Sequence, residues 1–243
     1  MNTSTINKTP KIIGLRSTIF LNTSIGYNAT NENRFKKFLP NGEPKNILIS
    51  NAQSYSIGGS FGPTLNNSWI LEDKKLGYNF VFTPNKVDII ETKQTKKNVD
   101  IETFIKFTIK VFQEILIQEI YASRLAFSPT VIYEPEDGYN NEDLWKIILK
   151  DTSISGNQLK DINIQYLLNS IWNEDGQEVT INFLHQWGDA YKTDTRNDRI
   201  VKCVSLTLDI NTVPMSGQTF SIKFMEKFFN KAISWTDELL SNY

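Results

Sequence analysis

The sequence predicts an α+β fold: antiparallel sheets packed against two long amphipathic helices, with two similar halves at 1–124 and 125–243 expected to form one compact unit. Three observations predict it. Apolar residues alternate with polar ones over several short segments, as in half-buried strands. The apolar period lengthens to that of a helix after Asp100 and again after Ser221. Strands come in runs rather than alternating singly with helices, which argues against a doubly wound parallel sheet.

In chain order, Ile12–Leu21 is apolar, β-branched and short, and reads as a strand. Asn22–Pro44 holds Gly26, Pro40, Gly42 and Pro44 and reads as loop, with a short helical turn around Phe35–Phe38. Asn46–Ala52 and Gln53–Ile57 read as strands that end at Gly58-Gly59-Ser60-Phe61-Gly62-Pro63, and Trp69–Leu71 as another. Gly77–Thr83 and Lys86–Thr92 flank Pro84-Asn85, in which Pro pre-sets φ and Asn tolerates a turn, so the pair predicts a hairpin. Ile101, Ile105, Ile109, Phe112, Leu116 and Ile120 then form one helical stripe behind Asp100, a good N-cap. The stripe predicts a helix from Asp100 to Ser123, about 35 Å long.

In the second half, Thr130–Glu134 reads as a strand and Asn141–Lys150 as a short helix capped by Asn141. The spacing of Ile164, Leu167, Leu168 and Ile171 favours a helix over Asp161–Trp172. Val179–Trp187 and Ile200–Val213 alternate as strands. Phe224, Phe228, Ala232, Trp235 and Leu239 mark a closing helix from Ser221 to Ser241, with Phe229 and Ile233 off its main stripe. Such an aromatic helix could show a second apolar face, which raises the prospect of a homo-oligomer.

Composition excludes several function classes. Twenty-six Lys+Arg against 27 Asp+Glu leave a net charge of -1, so no bulk attraction to nucleic acid or an anionic membrane follows. A single Cys rules out a disulfide framework or a cysteine-based zinc site within the chain, and a single His rules out schemes that need two. The chain holds 25 Asn and 29 Ile but 6 Ala, a bias that AT-rich codons produce. Met1 to Thr9 is polar, so no secretory signal is read there, and no apolar run approaches the roughly 20 residues that span a bilayer. A cytoplasmic location without membrane contact is the expectation.

His185 is in phase with Val179, Ile181, Phe183 and Trp187. It is the one candidate general base, with Asp189 or Asp209 as its aid; a hydrogen-bonded histidine in the core fits the same phase. The Gly58–Pro63 segment lacks the Lys-Ser/Thr of a phosphate loop and reads as a turn. The acids Glu134, Glu136, Asp137, Glu142 and Asp143 do not follow the calcium-loop pattern and suit a solvated helix start. No metal and no cofactor is therefore expected. Lys93, Lys96 and Lys97 form one basic cluster and Lys192, Arg196, Arg199 and Lys202 another, but Asp189, Asp194 and Asp198 neutralise the second. Aromatic stacking residues are not patterned beside them, so nucleic-acid binding is possible without being indicated. Cys203 shares a strand face with Ser205 and Thr207 and reads as inert.

The aromatic hairpin before the long helix, Arg124-Leu125-Ala126 and Tyr133 after it, and Leu206-Thr207-Leu208-Asp209-Ile210 before the last helix carry a resemblance. In these features the chain resembles an uncharacterised, sporadically distributed prokaryotic family of similar length. It departs from that family at Glu134-Pro135, where an Asn two residues after the Tyr is usual. The resemblance implies no known activity; its patchy distribution points to mobile or defence-linked genes. The expected function is a non-catalytic binding or protein-interaction module of a prokaryotic or phage cell, with defence or immunity as its context. A small hydrolase-like enzyme using His185 and a weak nucleic-acid binder are the alternatives.

Overall fold

The computed structural model describes residues 10–50, 65–91, 100–117, 120–134, 145, 163–194, 199–215 and 217–241. The segments read above as Gln53–Ile57, the Gly58–Pro63 turn, the Lys93–Lys97 cluster and the acids from Glu136 to Asp143 lie outside the described residues. So does the Asn141–Lys150 helix, apart from Trp145.

Nine strands are described: β1 (Lys11–Leu21), β2 (Glu43–Ser50), β3 (Leu65–Asp73), β4 (Tyr78–Thr83), β5 (Lys86–Glu91), β6 (Ala122–Tyr133), β7 (Asn163–Glu174), β8 (Gln177–Asp194) and β9 (Arg199–Thr212). The described helices are α1 (Ala29–Lys36), α2 (Ile101–Ile115) and α3 (Ile222–Ser241). All nine strands belong to one antiparallel sheet in the order β2-β3-β4-β5-β1-β6-β9-β8-β7. This corrects the predicted fold class: the protein is one large sheet with three described helices, not separate sheets packed against two long helices. The two strand sets fuse because β1 pairs with β5 on one edge and β6 on the other.

Two predicted helices are also corrected. The stripe after Asp100 makes a helix only to Ile115, with the Asp100 carboxylate accepting from the Thr103 amide at 3.2 Å as its N-cap. The chain then turns back into β6. Asn22 fixes that corner, its Oδ1 accepting from the Tyr121 amide at 2.9 Å and its own amide donating to the Tyr121 carbonyl at 3.2 Å. Residues Asp161–Trp172 were expected to be helical, yet Asn163–Glu174 is a strand paired with β8 over its whole length. The Pro84-Asn85 hairpin is found as expected, with Thr83 opposite Lys86.

In-register side chains define two faces. The buried face carries Trp69, Leu71, Phe80, Phe82, Val87, Ile89, Leu15, Ile19, Leu125 and Phe127, continuing through Ile210, Phe183 and Ile181. All three helices pack here. Phe35 of α1 meets Phe82 at a 4.8 Å ring separation, and Phe112 of α2 meets Phe229 of α3 at 5.5 Å. Phe229 is fully buried by that contact, so α3 does not offer the exposed second apolar face that its sequence suggests. Trp69 stacks on Phe82 at 3.9 Å and donates its indole N–H to the Ile25 carbonyl at 3.0 Å, satisfying the polar handle of a buried ring.

One proline tests the sheet from within. Pro129 lies in β6, a central strand, where it can donate no ladder hydrogen bond. The β6–β9 register is the same on both sides of it, Phe127↔Ile210 and Thr130↔Thr207, and between them the Ser128 hydroxyl reaches Asp209 Oδ1 at 3.1 Å.

Gly42 marks a close approach. A Cβ at this position would lie 2.8 Å from the Leu39 carbonyl oxygen and 2.8 Å from Leu71 Cγ, both in the packed core. Gly42→Ala is therefore expected to destabilise the fold by about 1–3 kcal/mol through overpacking, seen as a lower urea midpoint at unchanged slope. An unchanged midpoint would contradict this packing.

Candidate functional site

His185, Asp189 and Asp209 are all on the β8–β9 ladder, but the ladder separates them. His185 stands opposite Leu208, on the buried face. Asp209 stands opposite Leu184, so its carboxylate is on the other face, where it accepts from Ser128. Asp189 shares the face of His185 but is four residues further along, about 13 Å at the rise of a strand. No pair among the three is close enough to exchange a proton.

His185 is fully buried. Tyr166 of β7 stacks on it at 4.4 Å and 18°. Burial holds its imidazole below the ordinary histidine pKa, partly opposed by a hydrogen bond with the Phe183 backbone. Asp189 accepts from the Trp145 indole at 2.9 Å and pairs with Lys202 at 2.8 Å. Trp145 and Trp187 pack at 6.3 Å, and Tyr133 and Trp187 at 5.7 Å, over Val204 and Leu206. Burial also pushes the Tyr133 phenol well above its usual range. The cluster is a second small core, in which the ionisable groups serve packing.

The opposite face has no described helix over it. Near its centre Arg16 reaches Asp88 at 2.8 Å, and Arg124 donates to Asn211 Oδ1 at 2.9 Å while lying over the Phe20 ring at 5.0 Å. Asn182 also donates to Asn211 Oδ1, at 3.3 Å. Toward β7 a shallow cleft of ≈ 540 Å³ is lined mainly by neutral groups, among them Asn163, Gln165, Gln186, Ser205 and Thr207, with Asp189 as its one acid. Gly188 supplies its floor, and Ser205 donates to the Gly188 carbonyl at 3.1 Å, keeping that floor in place. Leu167 and Ile171 stand exposed beside this cleft on the same face.

This surface can form many hydrogen bonds to neutral groups and can bury some apolar area. Among the described residues no three His, Cys, Asp or Glu side chains gather closely enough to hold a metal ion. No described helix is long and apolar enough to cross a membrane. Reading by sequence missed the cleft because its residues come from three strands. The signal present was the spacing of Asn182 and Gln186, and of Ser205 and Thr207, on the polar phase of β8 and β9. Cys203 is buried on that polar phase, its Sγ 3.7 Å from the Val201 carbonyl.

The depressed His185 pKa makes a signed prediction. The unfolded chain takes up a proton at about pH 6.5, while the folded imidazole resists it, so the unfolded state binds more protons below that pH. Stability is thus complete above about pH 7 and falls with acidification, by up to about 1.4 kcal/mol per pH unit, until the folded pKa is reached. His185→Phe, which preserves the stack on Tyr166, is expected to flatten urea stability between pH 7 and pH 5 (the window named by about 6.5). An undiminished slope in the variant would remove His185 as its source. Comparison of the chain with family models, with curated proteins and with solved structures finds no match.

Proposed function

We propose that the chain is a non-catalytic binding protein whose open sheet face engages a protein partner in a prokaryotic or phage cell. One observation carries the reading: around the β7–β8–β9 cleft the open face combines amide and hydroxyl groups with the exposed side chains of Leu167 and Ile171. Amides and hydroxyls donate and accept, and so suit the backbone and neutral side chains of a polypeptide. Protein interfaces commonly join a polar rim to a small apolar centre. A defence- or immunity-linked partner is the context that the family resemblance suggests.

The alternatives draw less support. An enzyme with His185 as base would need a buried imidazole to act without Asp189 or Asp209 in reach. A nucleic-acid binder would need cations aimed outward, whereas Arg16 and Arg124 of the open face are engaged by Asp88 and Asn211.

The reading is tested with a photo-crosslinking residue placed at Gln186 on the open face or at Lys106 on the solvent side of α2, in native cells. A discrete protein adduct is expected from Gln186 and not from Lys106. It is expected to disappear when Leu167→Glu is added without change in the circular dichroism spectrum. Adducts equal at both sites, or none from Gln186, would overturn the reading.

A further inference from the structure

We infer that a second copy of this chain pairs with the outer edge of β7, joining two sheets antiparallel into one. The inference concerns the strand edge rather than the sheet face, although Leu167 and Ile171 border both.

The two ends of the sheet are built differently. At the β2 end, Glu43, Pro44 and Lys45 open the edge strand, and Lys45 pairs with Glu72 of β3. Charge and proline on an edge discourage pairing with another strand. The β7 strand has no proline, and its one charge, Glu174 at the last position, pairs with Lys227 of α3. From Asn163 to Asn173 the strand holds no charged residue and no proline. Its register with β8 runs through all of its residues without a bulge. At about 40 Å it is long for an edge strand. Leu167 and Leu168, on opposite faces, are each 52% exposed, and Ile171 is 61% exposed. Trp172 packs on Phe224 at 4.9 Å and on Trp235 at 5.4 Å, which fixes the strand to α3 and presents its edge ready-formed.

Charge selects the occupant. A charged strand would meet no counter-charge along this edge, whereas a second β7 brings only neutral residues. A two-fold axis normal to the sheet at Leu168 places Leu168 of one copy beside Leu168 of the other. Tyr166 then faces Ser170, and Ile164 faces Trp172. Each residue stays on its own face, because antiparallel partners opposite one another share a face. The helices of both copies thus lie on one side and the open faces on the other. Such an interface is isologous and closes at two copies.

The test is the molar mass of the purified full chain by light scattering from low to high micromolar concentration, alongside Leu168→Lys, Ser170→Pro and Leu76→Lys. Leu76 is in the β3–β4 turn, far from this edge. The expected result is a dimer for the wild type and for Leu76→Lys, and loss of the dimer for both β7 variants. In the wild type, the β7 amides that point away from β8 are expected to exchange hydrogen more slowly as concentration rises. That readout needs no variant and decides the matter if the β7 substitutions unfold the chain. A wild type that stays monomeric would overturn the inference, whether another partner or a segment of the same chain covers the edge. So would a dimer that survives both β7 substitutions, or β7 exchange that ignores concentration.

Discussion

Strand β1 pairs along both of its edges, with β5 on one side and β6 on the other, and the order of the whole sheet follows from it. Beyond β5 lie β4, β3 and β2, and beyond β6 lie β9, β8 and β7. Each arm therefore meets this seam through its last strand, and each last strand is followed in the chain by a helix. The seam makes the apolar faces of the two arms continuous, so α2 and α3 meet over it at Phe112 and Phe229. Ser17 and Thr108, both buried, approach to 3.5 Å where α2 crosses β1. Neither arm could bury its apolar face as well alone, because each helix also covers the other's neighbour.

What the sequence made legible was local. The β4–β5 hairpin announced itself through Pro84-Asn85, and the phase of His185 placed it among Ile181, Phe183 and Trp187. What it hid was set by distant partners. Leu116 and Ile120 keep the helical phase of α2, but Asn22, far away in sequence, captures the Tyr121 backbone and turns the chain into β6. The residues of β7 show helical spacing because an edge strand exposed on both faces is under little pressure to alternate. Its pairing with β8, together with the packing of Trp172 on α3, decides its conformation. Asp209 is the sequence's candidate aid to His185, yet the ladder puts it on the other face. There its carboxylate accepts from Ser128 of the neighbouring strand, a contact that no local pattern could reveal.

The same division of faces shapes the functional reading. The buried side uses its ionisable groups for packing: His185 against Tyr166, and Asp189 between Trp145 and Lys202. The open side keeps Arg16 paired with Asp88 near the centre, and toward β7 it is mainly amide and hydroxyl, with Asp189 of the cleft paired to Lys202. The proposed protein partner rests on this hydrogen-bonding capacity, since the arginines of the face are engaged rather than aimed at a phosphate backbone. The two edge strands carry a separate contrast, one opening on charge and proline and the other holding neither from Asn163 to Asn173.

The central claim is that the β1–β6 seam makes both arms one cooperative unit. Native-state hydrogen exchange of the intact chain at rising urea tests it most directly. Amides of β3 and β4 in one arm and of β8 and β9 in the other are predicted to converge on one opening free energy and to exchange together. If one arm exchanged through an opening that left the other fully protected up to its own, higher transition, the seam would not hold the structure together as described.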